Sequence, residues 1–266
     1  MIKLKGISDT SFIPLVARIF VSKKFPEYFF DEKALSLENY IPDDTIKKRS
    51  SEYSLMASVA RYYNFDSMVK AFIKKYGKSN IIYLGAGFET AYYRLNEQTA
   101  IFYEIDLPDI IAARRIILGV QRNELLIAAD IFNMEWIKQI DKSIPTLIIV
   151  SGVFQYYKEY KIIKFINGLK NNFSNAELIF DATNEKGIKY INKYVKKTGN
   201  TNAPMYFYIN DSTEFSKKTK TQLIEERVFF IDARKILSRK LKLYTRIAMK
   251  IVDDKKKAIL LHLKIK

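Results

Sequence analysis

The sequence predicts an α/β fold with a mostly parallel, seven-stranded sheet and helices on both faces. Three observations predict it. Five short apolar runs alternate with helical segments from residue 79 onward, two further strand candidates follow near the chain end, and helical periodicity dominates the first 76 residues. Strands that alternate with helices form parallel βαβ units. One integrated domain is expected, because 266 residues can bury a single substantial core.

Residues 1–76 are predicted to be a helical region packed on the core. Apolar side chains recur at helical spacing, and Gly77 then supplies a stop signal. We expect this region to act as a lid over a pocket in residues 77–266, although its aromatic side chains could also be plain core. The periodic positions are Leu55, Met56, Val59, Ala60, Tyr63, Met68, Val69, Phe72 and Ile73.

The strand candidates are short apolar runs bounded by polar residues or glycine. Helices are predicted between them, at 107–118 and 158–170 among others. The predicted strands cover residues 79–84, 99–106, 124–130, 146–150, 176–181, 227–231 and 258–265.

The composition limits the available chemistry. The chain has no cysteine, which excludes disulfides, thiolate catalysis and cysteine-ligated metals. Its single histidine, His262, excludes a multi-histidine metal site and is interpreted as a surface or edge-strand residue. No metal is therefore expected, and catalysis has to come from oxygen groups, basic side chains or positioning.

The net charge of +16 raises the question of an anionic partner. From Glu214 onward, sixteen Lys and Arg residues face six Asp and Glu residues. These bases are scattered through amphipathic segments, which favours a solvated basic face over a nucleic-acid groove. No apolar run approaches the roughly 20 residues that cross a bilayer, and the start lacks a signal peptide. We therefore expect a cytoplasmic protein with neither nucleic acid nor membrane as a partner.

The strongest local motif follows the first predicted strand, in Leu84-Gly-Ala-Gly-Phe-Glu-Thr. Glycine is needed where a chain turns sharply off a strand and lets a ligand approach its backbone. Gly85, Ala86 and Gly87 are therefore candidate cofactor-binding residues. A plain structural turn is the alternative.

Acidic residues end the next two predicted strands. Glu104 and Asp106 follow Gly85 by 19 and 21 positions, close to the spacing of about 20 at which an acid binds the ribose hydroxyls of a nucleotide. Asp130 ends the third strand, where it can receive an adenine amino group. Each acid could instead cap the helix after it. The turn lacks the third glycine that packs around a pyrophosphate, which favours S-adenosylmethionine (SAM) over a dinucleotide.

Taken in order, the motifs resemble those of the leucine carboxyl methyltransferase superfamily, in particular its tetracenomycin-type polyketide O-methyltransferase branch. The resemblance covers residues 28 to 266 and implies a class I, Rossmann-like methyltransferase fold that binds SAM. It rests on Ala60-Arg-Tyr-Tyr-Asn-Phe-Asp, the glycine motif with Arg94-Leu, Tyr103-Glu-Ile-Asp-Leu-Pro, Ala129-Asp-Ile, Ser151-Gly-Val-Phe-Gln-Tyr-Tyr and residues 186–200.

At the methionine end of the cofactor, the resemblance implies that Arg61 pairs with the SAM carboxylate and that Gly85 lies alongside. A guanidinium suits the first role because it binds a carboxylate through two hydrogen bonds. Ser151 departs from the pattern, since many members have glutamate there. A hydroxyl can bind the cofactor but cannot balance the charge of its amino group.

At the nucleoside end, the resemblance implies that Asp106 or Glu104 holds the ribose and that Asp130 with Ile131 binds adenine. Acceptor contacts are expected from Tyr156, Tyr157 and Asp181, because ligands bind at the carboxyl edge of such sheets. The aromatic side chains among these could equally be core.

The implied reaction is methyl transfer from SAM to a carboxylate or hydroxyl oxygen of a small molecule. The loop after the fourth strand lacks the Asn/Asp-Pro-Pro-aromatic motif of many amino methyltransferases, which favours oxygen. Two alternatives stay open. The charge allows a nucleic-acid methyltransferase, and Ser151 with the lack of an evident general base allows a non-catalytic SAM-binding or partner-binding module. The sequence indicates neither the acceptor nor the oligomeric state.

Overall fold

The computed structural model describes residues 12–41, 44–197 and 204–265. In these residues seven strands form one sheet, in the order β3-β2-β1-β4-β5-β7-β6. The first five strands are parallel, and β7 lies between β5 and β6 and is antiparallel to both. The predicted fold class is confirmed. The strands are β1 (Ser79–Leu84), β2 (Ala100–Asp106), β3 (Glu124–Ala128), β4 (Thr146–Val150), β5 (Ala176–Thr183), β6 (Gln222–Val228) and β7 (Ala258–Lys264).

Helices cover both faces of the sheet, so that β1 contributes to two hydrophobic cores. Ile81 and Tyr83 belong to the core that the N-terminal helices cover, and Ile82 and Leu84 belong to the core on the opposite face. The helices in the described residues are α1 (Phe12–Lys24), α2 (Glu32–Ser36), α3 (Thr45–Arg49), α4 (Glu52–Tyr76), α5 (Ala91–Leu95), α6 (Pro108–Ile117), α7 (Glu159–Asn172), α8 (Glu185–Lys197), α9 (Ser212–Thr219), α10 (Ile231–Ile236) and α11 (Leu243–Asp254).

The helical N-terminal region ends where the sequence indicates. Helix α4 stops at Tyr76, and the N–H of Gly77 donates to the carbonyl oxygen of Ile73 at 2.7 Å. Helix α1 packs along α4. Residues 1–11 and 42–43 of the predicted region lie outside the described residues. No described helix has the length and apolar character that crossing a membrane requires.

Strand β6 lies earlier in the chain than predicted. The apolar run at 227–231 suggested a strand there, but β6 spans Gln222–Val228. Phe229 and Phe230 instead enter the core that the N-terminal helices cover. Strand β6 is a partly exposed edge strand with charged residues, so its sequence lacks a strong apolar signal.

His262 does not lie on an edge strand. It belongs to β7, and its Nε2 atom lies 2.6 Å from Oε2 of Glu177 on β5. The prediction of an edge-strand position is wrong because β6 pairs along the outer side of β7.

The sheet order places a topological switch point, and with it the expected ligand-binding crevice, at the carboxyl ends of β1 and β4. These strands are neighbours, and the chain proceeds from them in opposite directions, to β2 on one side and β5 on the other. Ligands bind at such a switch point, outside the carboxyl ends of the strands. Most of the predicted site residues follow β1 to β5 at this edge.

Candidate active site

The turn after β1 is held by backbone hydrogen bonds to β2. The N–H groups of Gly85 and Ala86 donate to the carbonyl oxygen of Ile105 at 2.8 and 3.2 Å. Gly85 has a φ of +69°, and a Cβ on this residue would overlap the Val153 side chain. Both backbone conformation and space therefore require glycine. Val153 brings the loop after β4 against the turn, so the two loops share one wall of the crevice.

Asp106 and Arg114 hold the same turn from the β2 side. Asp106 accepts from the N–H groups of Gly87 and Leu107, both at 2.7 Å. Arg114 donates through Nη1 to the carbonyl oxygens of Gly87 and Glu89, both at 2.9 Å. Burial raises the pKa of Asp106 although both N–H groups oppose the shift. Sequence reasoning missed Arg114, which carries no local signal beyond being an arginine on α6.

Glu104 lies deeper than Asp106 although both face the same side of β2. Its side chain is fully buried, and Nη2 of Arg114 is 3.6 Å from its Oε2. Neither carboxyl oxygen has a hydrogen-bond partner among the described residues. Burial raises the pKa of Glu104 well above its usual value. Of the two acids predicted for the ribose, only Asp106 is partly exposed at the sheet edge.

Asp130 and Tyr157 lie near each other on the β3 side of the crevice. Asp130 is exposed and accepts from the N–H of Phe132 at 2.9 Å. The rings of Phe132 and Tyr157 are 4.3 Å apart, and Nζ of Lys161 lies 4.3 and 4.5 Å from their centroids. Burial first, and then the negative charges of Asp130 and Asp106, raise the pKa of Tyr157. Tyr157 therefore stands beside the acids predicted for the nucleoside.

The other two predicted residues near this wall have different surroundings. Ile131 is buried, and its carbonyl oxygen accepts from Nε1 of Trp136 at 2.9 Å. Tyr156 is half-buried at the end of a short 3₁₀ turn, and its N–H donates to the carbonyl oxygen of Val153 at 3.2 Å. Ile131 is thus anchored in the wall, whereas Tyr156 belongs to the loop that faces the glycine turn.

Arg61 of α4 and Asp181 of β5 form an ion pair with Nη1 and Oδ2 3.2 Å apart. Asp181 also accepts from the N–H of Gly152 and from Nε2 of Gln155, both at 2.6 Å. A Cβ on Gly152 would lie 2.7 Å from Nη1 of Arg61. Burial lowers the pKa of Arg61, but Asp181 and then Tyr62 together raise it above its usual value, so the guanidinium stays charged. The pair is therefore a positive and a negative charge held side by side at the carboxyl edge.

Several buried polar atoms around this pair have no hydrogen-bond partner among the described residues. They are Nε of Arg61, Oγ of Ser151, Oε1 of Gln155 and Oγ1 of Thr183. Buried polar atoms are normally paired, and unpaired ones mark places where a ligand or water binds. A donor on Arg61 and hydroxyl and amide oxygens nearby fit the carboxylate and ammonium groups of a free amino acid.

A buried charge cluster lies behind the glycine turn. Arg94 of α5 donates to both carboxyl oxygens of Asp66, with Nε at 2.9 Å and Nη2 at 2.8 Å. Its Nη1 lies 3.0 Å from Oδ2 of Asp31 and 2.9 Å from Oε1 of Glu89. Asp66, five residues after Arg61, therefore binds Arg94 within this buried cluster.

The cluster joins the N-terminal helices to the turn. Arg18 of α1 is 1 % exposed and pairs with Asp31 at 2.9 Å. It also donates to the carbonyl oxygen of Phe88 at 2.5 Å and to the hydroxyl of Thr90. Helix α1 is thus tied directly to the chain that leaves the glycine turn.

Comparison with known proteins bears on this arrangement. A protein similar in sequence is the tetracenomycin polyketide synthesis O-methyltransferase TcmP of Streptomyces glaucescens, 20% identical over 182 residues, which are 68% of this chain and 67% of that protein. Among solved structures, a DUF574 family protein of Streptomyces avermitilis matches with a TM-score of 0.61 at 12% identity, over 94% of this chain and 96% of that one.

The fold is shared more widely. Magnesium protoporphyrin IX methyltransferase of Synechocystis, solved with bound SAH, matches with a TM-score of 0.52 at 12% identity, over 88% of this chain and 99% of that one. The model of the family described as leucine carboxyl methyltransferase matches residues 10–169. The resemblance inferred from the sequence motifs is confirmed. The chain belongs to the leucine carboxyl methyltransferase family and is a SAM-dependent methyltransferase.

Proposed function

We propose that the protein transfers the methyl group of SAM to a carboxylate or hydroxyl oxygen of a small molecule. The observation that carries this proposal is the Arg61–Asp181 pair, 3.2 Å apart at the switch-point edge. Its two opposite charges complement the two charged groups at the methionine end of SAM. Asp106 and Asp130, at the tips of the neighbouring strands, suit the nucleoside end.

In this proposal each part of the cofactor has a binding group in the chain. Arg61 binds the carboxylate through its free Nε and its Nη groups. Asp181 supplies the negative charge that balances the amino group of SAM, a charge that Ser151 cannot supply. Gly85, Ala86 and Gly87 leave room for the methionine portion, and the ribose and adenine contacts come from the residues predicted above, namely Asp106, Asp130 and Ile131.

SAM supplies a methyl group that its sulfonium charge has already activated. The protein's task is to place an acceptor oxygen in line with that methyl group and to exclude water, and orientation of this kind contributes on the order of 7–11 kcal/mol. We assign the covering role to the N-terminal helices, which Arg18 ties to the carbonyl oxygen of Phe88. The described part of residues 1–76 would thus form a lid over the domain of residues 77–266.

The acceptor side is proposed to include Tyr156, in the loop that faces the glycine turn. Both carboxyl oxygens of Asp181 already accept hydrogen bonds from the chain. We therefore assign Asp181 to binding the cofactor and not to contacting the acceptor, which would lie next to it. Tyr157 is assigned to the nucleoside wall because it contacts Phe132. A carboxylate acceptor needs no general base, whereas a hydroxyl acceptor benefits from one. The name of TcmP, an O-methyltransferase of polyketide synthesis, supports a small-molecule acceptor.

Labelled methyl transfer tests the proposal. The purified chain is incubated with methyl-labelled SAM and, in separate reactions, with small carboxylic acids, small phenols, a peptide with a free carboxyl terminus, and RNA. We expect label in at least one class of small acceptor. Mild base then distinguishes the products, because it releases methanol from a methyl ester and leaves a methyl ether intact. Label confined to peptide or RNA would contradict a small-molecule acceptor.

Gly85→Ala is expected to weaken binding of S-adenosylhomocysteine at least about tenfold. An alanine here adds the cost of a left-handed backbone, about 1–2 kcal/mol, and its Cβ displaces Val153 and with it the loop that carries Gly152. Calorimetric titration measures the affinity. Gly77→Ala is the matched control, since its φ is +68° and its Cβ would meet nothing within 4 Å. Equal affinity losses in the two variants would mean that backbone strain alone is responsible.

A further inference from the structure

Helix α11 presents an apolar stripe to solvent on the face opposite the core. Counted from Leu243, the other stripe residues lie one, four and eight positions along the chain, which places all of them on one side of the helix. Their side chains are largely exposed: Leu243 67 %, Tyr244 64 %, Ile247 51 % and Ile251 41 %. Ile231 of α10, 58 % exposed, lies in the same groove as Leu243 and Ile247. A contiguous exposed apolar patch marks an interaction surface.

Basic side chains surround this stripe. A groove of about 430 Å³ between α10 and α11 has aliphatic residues together with Arg234, Lys235, Arg246 and Lys250. Arg234 pairs with Asp253, and Lys250 pairs with Asp254. Within the part of the chain that the structure describes, Lys235 and Arg246 have no ion pair. Residues 231–250 contain seven Lys and Arg residues and one acid, a net charge of +6.

We propose that α10 and α11 dock the protein on the surface of a bilayer that contains anionic lipid. Protruding aliphatic side chains on an amphipathic helix enter the boundary between lipid headgroups and acyl chains, and lysines and arginines beside them bind the lipid phosphates. Aliphatic and basic side chains lie on one surface here. This surface replaces the expectation from the sequence that no membrane is a partner, which rested on the lack of a long apolar run. A single-stranded nucleic acid would instead require a series of aromatic side chains on which successive bases stack, and the stripe contains one aromatic residue, Tyr244.

The docking surface lies beside the amino-terminal end of α4. The N–H of Lys242, which precedes α11, donates to Oε1 of Glu52 at 2.9 Å. Tyr53, next on α4, is in edge contact with Tyr190 of α8, with ring centroids 6.2 Å apart. Arg61 follows Glu52 by nine residues, or about 13 Å along the helix. Docking through α10 and α11 would therefore bring the bilayer alongside the end of α4 that leads to Arg61.

Vesicle co-sedimentation of the full chain tests the proposal. Vesicles of phosphatidylcholine alone are compared with vesicles containing about 30% phosphatidylglycerol, at low and high salt. We expect binding to the anionic vesicles and a loss of binding at high salt, because salt screens charge attraction. Leu243→Ser with Ile247→Ser should weaken partitioning at least about tenfold. Lys235→Gln with Arg246→Gln should weaken it roughly thirtyfold, at about 1 kcal/mol for each cation.

Matched variants control for exposure and net charge. Ile116→Ser with Val120→Ser removes side chains that are 59 % and 50 % exposed on and just after α6, and Arg122→Gln with Lys164→Gln removes two exposed cations. These variants should bind like the unmodified chain, and thermal unfolding checks that every variant folds.

Three outcomes would overturn the proposal. One is no binding to anionic vesicles. Another is an equal loss of binding in the test and control variants. The third comes from a separate binding assay in which a short RNA replaces the vesicles. The proposal fails if the chain binds this RNA and Leu243→Ser with Ile247→Ser does not change that binding.

Discussion

Replacing Arg61 with alanine is expected to weaken binding of S-adenosylhomocysteine about a hundredfold or more. Truncating one partner of a buried, hydrogen-bonded charge pair costs about 2–5 kcal/mol or more, largely because the other charge is left unpaired. Here the substitution leaves two carboxylates without their guanidinium partner: that of Asp181, whose Oδ2 is 3.2 Å from Nη1 of Arg61, and that of the ligand. Calorimetric titration of the variant against the unmodified chain measures the change.

The ligand 5′-methylthioadenosine separates a binding role of Arg61 from a purely structural one. It keeps the nucleoside and the sulfur but lacks the amino-acid end. We expect Arg61→Ala to bind it with nearly unchanged affinity, and Arg61→Lys to recover only part of the affinity for S-adenosylhomocysteine, since lysine lacks the planar fork of arginine. If both ligands lose affinity equally, Arg61 acts through the fold and not through the methionine end.

Replacing Arg94 with methionine is expected to lower the free energy of unfolding by about 3–5 kcal/mol, the cost of breaking a buried ion pair by removing one partner. Arg94 is 5 % exposed and contacts three carboxylates, which belong to Asp31, Asp66 and Glu89. Methionine preserves much of the side-chain volume but leaves these negative charges close together and buried. Urea denaturation at neutral pH measures the loss.

The effect of Arg94→Met should depend on pH in a defined direction. Burial alone would raise the pKa of Glu89, but Arg94 and then Arg18 lower it below its usual value. A lowered pKa means that Glu89 stabilises the unmodified fold at neutral pH and that this stability is lost as the pH falls through the folded pKa. In the variant, protonation of these carboxyl groups removes the repulsion between their buried negative charges. The difference in unfolding free energy between the unmodified chain and Arg94→Met should therefore become smaller as the pH falls below the ordinary pKa of glutamate.

Arg115→Met provides the control for this prediction. Arg115 is exposed on α6, and its Nη2 donates to the carbonyl oxygen of Leu126 at 3.2 Å. A surface substitution of this kind changes stability by about 0.5 kcal/mol or less. A similarly small change in Arg94→Met, or a gap that widens on acidification, would show that the cluster does not stabilise the fold through its charges.

Local sequence patterns predicted the interior strands well and the edge strand poorly. The bounds of β1 and β4 match the prediction because both strands are fully buried apolar runs. Strand β6 was placed too late because an edge strand, partly exposed along its length, carries charges and has little apolar signal. The same limit applies to the acids of β2. Glu104 and Asp106 share a face, and only the tertiary structure shows that Glu104 is buried beside Arg114.

Local periodicity and backbone sterics are enough to predict the order of strands and helices along the chain, the glycine turn and the acids at the strand ends. Two contacts are visible only in the folded chain. Arg61 pairs with Asp181, 120 residues away, and Arg94 pairs with Asp31, Asp66 and Glu89. Those partners belong to different elements, and they come together through the packing of helices on the sheet. Spacing along one chain contains no signal for contacts of this kind.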